Sequence, residues 1–305
     1  MWYHSVVLVA SPLLIARPMP PAPAPRPGLV ELEFGVPIPG VVVDESQWSR
    51  TALKRLPEGV WNWDEIFGRQ AAVVIDIGCG NGRSTLHLAV NHPEWNVLGV
   101  DILPVVIRYA TRRANQRGLF HARLAVIGGR ELLERHVLPQ SVTELHCYHP
   151  QPFYDQRFVE RRLITPEFLS LAHRALLPGG RLVLQTDNPG YWKYICQVAP
   201  TFFEWHEQPG PWPDSPQGRT RREIMARSKG LTIFRGWGVA RAGLSWDDAL
   251  AQARQLPPPT FDADRRLKAL DQLERETGES PETGPRPAAN PPPRRVSRKP
   301  PRRRR

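Results

Sequence analysis

Residues 73–82 read VVIDIGCGNG, and this stretch decides the fold class of the 305-residue chain. Apolar residues, mostly β-branched, fill four of its first five positions, which predicts a short buried strand. Glycines follow at Gly78, Gly80 and Gly82, and a helical pattern begins at Arg83. A strand, a glycine turn and a helix N-terminus in this order let a nucleotide-like ligand approach the backbone of an α/β fold.

The spacing of the glycines narrows the choice of ligand. Dinucleotide and triphosphate loops follow G-x-G-x-x-G or G-x-x-x-x-G-K-[ST], and this loop lacks the Lys-Ser or Lys-Thr pair that holds a triphosphate. Asp76 followed by G-x-G-x-G instead resembles the first motif of class I S-adenosylmethionine-dependent methyltransferases. The resemblance implies S-adenosyl-L-methionine as cofactor, bound along Gly78, Gly80 and Gly82. Asp76 is then expected to hold the methionine ammonium group, directly or through water, or to buttress the loop.

Strand-like and helix-like stretches alternate behind the loop, as a doubly wound sheet requires. Helices are predicted at residues 83–91, 104–117, 131–136, 165–177 and 191–198, with a short one at Asp64 that Gly68 ends and two weaker ones at 246–255 and 262–277. Strands are predicted at residues 73–77, 96–100, 122–127, 142–148, 181–186, 201–206 and 231–240. We therefore predict an α/β fold with a doubly wound, mostly parallel seven-stranded, Rossmann-like sheet.

Composition divides the chain into a body and two biased ends, in which the 34 prolines are concentrated. We predict a disordered or mis-started Pro-rich arm at residues 1–28 and the methyltransferase domain at residues 29–245. A C-terminal helical extension follows at residues 246–278, with its last helix on the surface. Residues 279–305 are predicted to be a disordered basic Pro/Arg tail.

Charge is concentrated in that tail. The net charge of the chain is +11, and residues 281–305 hold nine Arg or Lys and one Glu. Such a tail is typical of a segment that binds RNA phosphates electrostatically and without sequence specificity. It is equally typical of a segment that only increases solubility. The body is only mildly basic.

Cysteine usage and the N-terminal residues limit the location of the protein. The three cysteines, Cys79, Cys147 and Cys196, form neither a disulfide framework nor a zinc pattern, so we expect a reducing cytoplasm and no metal. Residues 5–16 are apolar but too short to span a bilayer, lack a preceding Lys or Arg and are interrupted by Pro12, so no membrane is expected. The oligomeric state stays open.

Residues at two further predicted strand ends are suited to bind the ribose of a nucleotide and a nucleic-acid base. Asp101 follows Asp76 by 25 residues, where a carboxylate accepts hydrogen bonds from ribose hydroxyls in nucleotide-binding folds. HPQPF, residues 149–153, ends the fourth strand, where ligands of such folds sit. There the Gln151 amide can accept from a base edge, and Phe153 can stack on the base.

Together these motifs resemble the bacterial tRNA (guanine-N7)-methyltransferases. The likeness runs from Leu56 to Ala240, in order and at fitting spacings. It covers LPEGVWNWDEIFG (56–68), DIGCGNG (76–82), GVD (99–101), HPQPF, RRLITPEFLSLAHRALLPGGRLVLQTDN (161–188) and TRRE (220–223). It implies methyl transfer from S-adenosylmethionine to a variable-loop guanine of tRNA, of the guanine 46 type.

The resemblance also implies roles for individual residues. Asp76 and Asp101 match the two cofactor acids of the family, although Glu is commoner at both positions. Asp187 matches a substrate-binding Asp. Thr220, Arg221, Arg222 and Glu223 match a T-K-F-E loop that contacts substrate. Arg161 and Arg162 open the next helix region, where either can pair with phosphate or brace the fold, and we assign Arg161 to substrate.

The chain departs from the family pattern at three places. The family's P-D-P-W becomes Pro150-Gln151-Pro152-Phe153, so an amide replaces an acid assigned to catalysis. The basic stretch that follows becomes Tyr154-Asp155-Gln156-Arg157. Gly128 and Gly129 stand where the family has an adenine contact, which a backbone amide can supply.

The loss of activity expected from the amide at Gln151 depends on the nucleophile. N7 of guanine carries a free lone pair and no proton, so its attack needs positioning rather than a general base. We hypothesise that Gln151 is a degraded but tolerated version of the acid, with Asp187 and Glu223 left to recognise guanine. Two alternatives stay open: a methyltransferase acting on another base or a small molecule, and a catalytically silent RNA-binding protein with this fold.

Overall fold

The computed structural model describes residues 26–154, 156–262 and 265–276. The strands are β1 (Leu32–Glu33), β2 (Val36–Pro37), β3 (Val73–Ile77), β4 (Asn96–Asp101), β5 (Ala122–Val126), β6 (Val142–Tyr148), β7 (Leu176–Thr186), β8 (Phe203–Glu207) and β9 (Phe234–Ala240). The helices are α1 (Trp63–Phe67), α2 (Arg83–Asn91), α3 (Pro104–Gln116), α4 (Gly129–Arg135), α5 (Pro166–Ala175), α6 (Pro189–Val198), α7 (Arg221–Ser228), α8 (Trp246–Ala253) and α9 (Arg265–Glu276). No helix within these ranges is both long and apolar enough to cross a bilayer.

Seven strands form one sheet in the order β5-β4-β3-β6-β7-β9-β8. Strands β5, β4, β3, β6 and β7 run parallel, and β9 pairs antiparallel with both β7 and β8. The predicted doubly wound, mostly parallel seven-stranded sheet is therefore confirmed. The order reverses between β3 and β6, so the carboxyl ends of these two strands flank the crevice where ligands of such folds bind.

The core lies on both faces of this sheet because the side chains of its central strands alternate between them. All five residues of β3 are buried. Ile75 and Ile77 belong to an apolar cluster with residues of α1, α4, α5, α6 and α8, whereas Val74 belongs to a second cluster with residues of α2 and α3. A strand covered on both sides reads as a continuous apolar run, which is why VVIDI was recognisable in the sequence.

Several helices begin directly after a residue whose side chain caps the helix N-terminus. Asn62, Thr165, Asn188 and Ser245 accept hydrogen bonds from backbone amides in the first turns of α1, α5, α6 and α8. These caps satisfy amides that have no partner within the helix. The predicted helices in these places are therefore confirmed, with ends shifted by a few residues.

Strand β7 begins earlier than predicted. We expected a helix to Leu177 and a strand from Arg181, but the helix ends at Ala175 and the strand starts at Leu176. Leu176 already pairs with Val142, and the register shifts before Arg181 pairs with Glu144. Gly179, with φ of 78°, lets the chain bulge without leaving β6.

The N-terminal hairpin and helix α7 were not predicted from the sequence, whereas helix α9 was. The hairpin of β1 and β2 turns through Phe34 and Gly35, both with positive φ. The TRRE stretch was expected as a loop, but Thr220 caps helix α7 by accepting from the Glu223 amide at 3.0 Å. Helix α9 lies at the surface as expected, but it also buries Leu267, Leu270 and Asp271 against the body. The predicted arm at residues 1–28 and tail at residues 279–305 lie outside the described residues, except for residues 26–28.

Candidate active site

A cavity of about 1040 Å³ opens at the carboxyl ends of β3, β4, β6 and β7. The parallel strands bring to one edge side chains that are far apart in sequence. Most predicted site residues line it: Asp76, Gly78, Gly80, Asp101, Gly128, Gly129, Gln151, Phe153, Arg161, Asp187, Thr220, Arg221 and Arg222. Gly82 and Glu223 are not among the lining residues.

The glycine loop forms one wall. The amides of Gly78 and Cys79 donate to the Val100 carbonyl at 2.8 and 2.9 Å, which ties the loop to the end of β4. Gly78 and Gly80 have φ of 71° and 53°, and no atom would lie within 4 Å of a Cβ at either position. The loop thus exposes bare backbone to the cavity.

Gly82 serves packing rather than the cavity. A Cβ there would lie 2.6 Å from the Cβ of Ala110 on α3, and its φ is 83°. Only glycine therefore lets α2 start this close to α3. The structure separates Gly82 from the two loop glycines with which it was grouped.

Asp101 ends β4 beside the loop and is half-buried. Its carboxylate accepts from the amides of Gly80 at 3.1 Å and Leu103 at 2.9 Å. Burial raises the pKa of Asp101, while these amide hydrogen bonds oppose that rise. The carboxylate therefore holds the loop and the start of α3 in place at the cavity edge.

Asp76 lies deeper, 1% exposed, and accepts from the Thr85 hydroxyl at 2.7 Å. Burial raises the pKa of Asp76 to about 6, and hydrogen bonds from Thr85 and Ser84 only partly counter it. A carboxylate that is costly to ionise here gains from a cationic partner in the cavity.

Gly128 and Gly129 also line the cavity, at the start of α4. A Cβ on Gly129 would lie 2.2 Å from Cγ2 of Ile77, so the backbone passes directly over β3. Neither glycine carries a side chain, so the start of α4 presents bare backbone to the cavity.

The HPQPF turn follows the carboxyl end of β6 and lines the cavity. His149 and Phe153 both have positive φ, 50° and 41°. The buried Arg162 holds this turn by donating to the carbonyl oxygens of Pro152 at 2.6 Å and Phe153 at 3.1 Å. Of the two arginines considered from the sequence, Arg162 braces the fold, and the exposed Arg161 lines the cavity.

A buried polar network fixes Asp187 at the end of β7. Gln185 accepts from the Trp212 indole at 2.7 Å, so its amide nitrogen faces Nε2 of His149 at 2.9 Å. Nδ1 of His149 then carries the proton and donates to Asp187 at 3.4 Å. Arg222 donates to the other oxygen of Asp187 at 2.7 Å.

This network sets the ionisation of Asp187. Burial acts to raise the pKa of Asp187, but the hydrogen bond from His149 and the charge of Arg222 outweigh it and hold the pKa well below its usual range. Asp187 is therefore a carboxylate at neutral pH. Its two oxygens are engaged by His149 and Arg222.

Glu223 faces away from the cavity. It is 0% exposed, pairs with Arg235, and accepts from Nε2 of Gln185 and from the Arg219 amide. Burial acts to raise its pKa, but the hydrogen bond and charge of Arg235 lower it. Glu223 thus orients Gln185, which in turn orients His149.

Comparison with known proteins agrees with this geometry. A family model described as "Putative methyltransferase" matches residues 70–235, more than half of the chain. A tRNA (guanine-N(7)-)-methyltransferase of Rubrobacter xylanophilus is 32% identical over 174 residues, which cover 56% of this chain and 78% of that protein. The protein of the same name from Halorhodospira halophila is 30% identical over 193 residues, covering 62% and 84%.

The chain belongs to the tRNA (guanine-N7)-methyltransferase family. A solved structure, the 16S rRNA (adenine(1408)-N(1))-methyltransferase from Catenulisporales acidiphilia, matches with a TM-score of 0.42 at 16% identity, covering 61% of this chain and 96% of that one.

S-adenosyl-L-methionine is the cofactor of this methyltransferase family, and one end of the cavity fits it. Gly78 and Gly80 leave the backbone open, Asp101 stands at the edge of the loop, and the Asp76 carboxylate lies at the base. The donor and acceptor types suit a nucleoside joined to an amino acid.

Two acids of this methyltransferase were missed in the sequence. Glu33 of the β1–β2 hairpin accepts from Asn81 of the glycine loop at 2.6 Å and lies 3.6 Å from Arg113. Asp271 of α9 lines the cavity and pairs with Arg222 at 2.8 Å. Both lie outside the matched residues 70–235, and no local pattern in the sequence marks either one.

Proposed function

We propose that this protein transfers a methyl group from S-adenosyl-L-methionine to N7 of a guanine in tRNA, at position 46 of the variable loop. One observation carries the proposal: a single cavity joins the open glycine loop and Asp101 to the HPQPF turn, Asp187 and Arg222. A cofactor end and an acceptor end that share one space suit direct transfer between two bound molecules.

We assign the cofactor end residue by residue. Asp101 accepts hydrogen bonds from the ribose hydroxyls, since it stands at the end of β4 next to the Gly80 amide. Asp76 faces the ammonium group of the methionine part, and Gly78 and Gly80 let that part approach the backbone. The backbone amides of Gly128 and Gly129 contact the adenine.

The acceptor end needs to orient the guanine rather than remove a proton. When bound, S-adenosylmethionine supplies an electrophilic methyl group on a sulfonium centre, and N7 of guanine attacks with its own lone pair. His149 is not required as a base, and its Nδ1 proton is held by Asp187. The buried Phe153 stacks on the base and excludes water, Gln151 accepts one hydrogen bond, and the carboxylate charge nearby favours the cationic product.

Arginines around the opening suit the phosphates of an RNA. Arg130, Arg157 and Arg161 are exposed and line the cavity, and Thr220 and Arg221 stand at the start of α7. Guanidinium groups pair with phosphate oxygens and position a nucleic acid without reading its sequence. The basic tail at residues 279–305 adds non-specific contacts of the same kind. We place the reaction in the cytoplasm, which agrees with three free cysteines.

Two tRNA transcripts that differ at one atom test this proposal. The first carries guanine at position 46, and the second carries 7-deazaguanine, which has a carbon in place of N7. We expect labelled methyl groups to enter only the first transcript when each is incubated with the full chain. Equal labelling of both would refute N7 of guanine 46 as the acceptor and would favour another base.

A further inference from the structure

The hairpin of β1 and β2 is attached to residues that line the cavity. Glu33 of β1 is 6% exposed and accepts from the side-chain amide of Asn81 at 2.6 Å. The Pro37 carbonyl of β2 accepts from the guanidinium of Arg83 at 2.6 Å. Asn81 and Arg83 both line the cavity. Each strand of the hairpin is therefore held against the cofactor end, which gives its turn a defined position.

The turn of this hairpin holds a residue that its geometry disfavours. Glu33 pairs with Val36, which leaves a two-residue loop of Phe34 and Gly35 with φ of 51° and 77°. Such a loop favours Asn-Gly or Asp-Gly, because these residues reach positive φ at little cost. A bulky residue in this region is strained, and strain of this kind is concentrated at functional sites. Phe34 therefore makes the turn less stable than Asn would.

Burial of the Phe34 ring does not offset this strain. Phe34 is 55% exposed, so its ring contributes little to the apolar core. The guanidinium carbon of Arg221 lies over the ring, 4.7 Å from its centroid. Arg221 lines the cavity at the first position of α7. We call these two side chains the Phe34–Arg221 platform, an aromatic and cationic surface that extends from the cavity wall to solvent.

The chemistry of this platform matches RNA. Bases stack on exposed aromatic rings, and the guanidinium group of arginine both stacks on bases and pairs with phosphates. Exposed Arg130 and Arg161 also line the cavity, so the charge around the opening is complementary to a phosphate backbone. A base that enters a pocket leaves its neighbour in the strand without a stacking partner, which costs free energy. An aromatic ring at the opening can replace that partner.

We propose that Phe34, backed by Arg221, stacks on the nucleotide next to the target guanine and so holds the tRNA at the cavity opening. This inference rests on the proposed function, because it takes the tRNA of that reaction as the partner. Phe34 is not among the residues that line the cavity, so it acts on tRNA binding rather than on the chemical step.

Phe34→Asn separates the ring from the turn, because Asn is a residue that this turn favours. In the full chain we expect this variant to melt at the wild-type temperature or above. Its KM for tRNA should rise about tenfold, as for one lost base stack, with kcat and the Kd for S-adenosylmethionine unchanged. Phe34→Trp, which restores an aromatic ring, should bring KM to within about twofold of wild type.

Phe120→Asn is the matched control. Phe120 is 61% exposed and lies under the guanidinium of Arg69 at 5.7 Å. It precedes the amino end of β5, whereas the cavity lies at the carboxyl ends of the parallel strands. Loss of this ring should leave the KM for tRNA unchanged.

An abasic nucleotide on the 5′ or the 3′ side of guanine 46 identifies the stacked base, with binding measured by filter retention. For the wild type we expect one of these two tRNAs to raise Kd about tenfold, and Phe34→Asn should lose nothing further with that tRNA. Abasic effects of equal size in both proteins at both positions would overturn the inference, as would an unchanged KM of Phe34→Asn.

Failure of the proposed function is separately visible, because filter retention needs no methyl transfer. If the wild type binds tRNA but leaves N7 of guanine 46 unmethylated, the proposed function fails, and coupling between Phe34 and an abasic site would still support the inference. If Phe34→Asn instead changes the oligomeric state in size exclusion and leaves tRNA affinity unaltered, the ring lies between copies of the chain and the inference is overturned.

Discussion

The cofactor end and the acceptor end of the cavity are assembled in different ways. The cofactor end comes mainly from one continuous unit, β3, the glycine loop, α2 and β4, together with the start of α4. The acceptor end gathers the HPQPF turn, the end of β7, the start of α7 and α9, which are far apart in the chain. Backbone hydrogen bonds close the loop of the cofactor end, whereas the acceptor end is held by side chains that are distant in the chain, such as Gln185, His149 and Asp187.

The two ends should therefore respond differently to substitution of side chains. The glycine loop is tied to Val100 mainly by the backbone amides of Gly78 and Cys79, and the Asp101 carboxylate adds one side-chain contact with the Gly80 amide. The acceptor end instead depends on a chain of side chains from Glu223 through Gln185 and His149 to Asp187. Substitutions should therefore separate cofactor binding from methyl transfer.

The largest expected effect is at Asp187. Asp187→Asn removes one of the two carboxylates that pair with Arg222 in a largely buried site, and we expect kcat/KM for tRNA to fall about 100-fold. The affinity for S-adenosylmethionine should stay within about threefold of wild type, because the substitution lies outside the cofactor end. Steady-state methylation and calorimetric titration measure the two quantities. Glu204→Gln, which removes an exposed carboxylate on β8, serves as control.

The converse substitution is Asp101→Ala. It removes the acceptor for the ribose hydroxyls and for the Gly80 and Leu103 amides, so we expect the Kd for S-adenosylmethionine to rise about 30-fold. Binding of tRNA, measured by filter retention, should be unchanged. An unaltered cofactor Kd would contradict the assignment of this end of the cavity.

A smaller effect is expected from pH. The pKa of Asp76 is raised to about 6, so the group is ionised at pH 7.5 and mostly protonated at pH 5. The protonated form loses its attraction for the methionine ammonium, and the Kd for S-adenosylmethionine should rise about tenfold between these pH values. In Asp76→Asn the Kd should be high and flat across this range. A wild-type Kd independent of pH would remove Asp76 from cofactor binding.

The smallest effect is expected at Gln151. If Gln151 is a degraded but tolerated acid, Gln151→Asp should raise methylation about threefold, because the cavity gains a charge that stabilises the cationic product. Unchanged or lower activity of Gln151→Asp would refute this hypothesis.

Much of the fold was predictable because buried strands and helix starts have recognisable local sequence patterns. The strand VVIDI is apolar at four of its five positions because helices cover it on both faces, and the capping residues Thr165 and Asn188 mark the starts of their helices. Helix α7 was hidden because the first turn after Thr220 is Arg-Arg-Glu, in which the buried Glu223 is satisfied by distant partners. The two-residue strands of the N-terminal hairpin are too short to show a period.

The candidate site was predictable to a similar degree. Asp101 and the loop glycines could be placed because they follow strand ends at short, regular spacings. Asp271 and Glu33 could not, since each is defined by a partner far away in the chain, Arg222 and Asn81. Glu223 matched a motif, but tertiary packing directs its side chain to Arg235 rather than to the cavity.

One measurement tests the central claim most directly: the purified full chain is incubated with labelled S-adenosylmethionine and tRNA lacking N7-methylguanosine, and the modified nucleoside is identified by mass spectrometry. We predict cofactor binding and label in N7-methylguanosine at position 46. Label in another nucleoside, or cofactor binding with no label in tRNA, would contradict the account and favour a different methyl acceptor. Absence of cofactor binding would instead favour an RNA-binding protein that has kept the fold without the reaction.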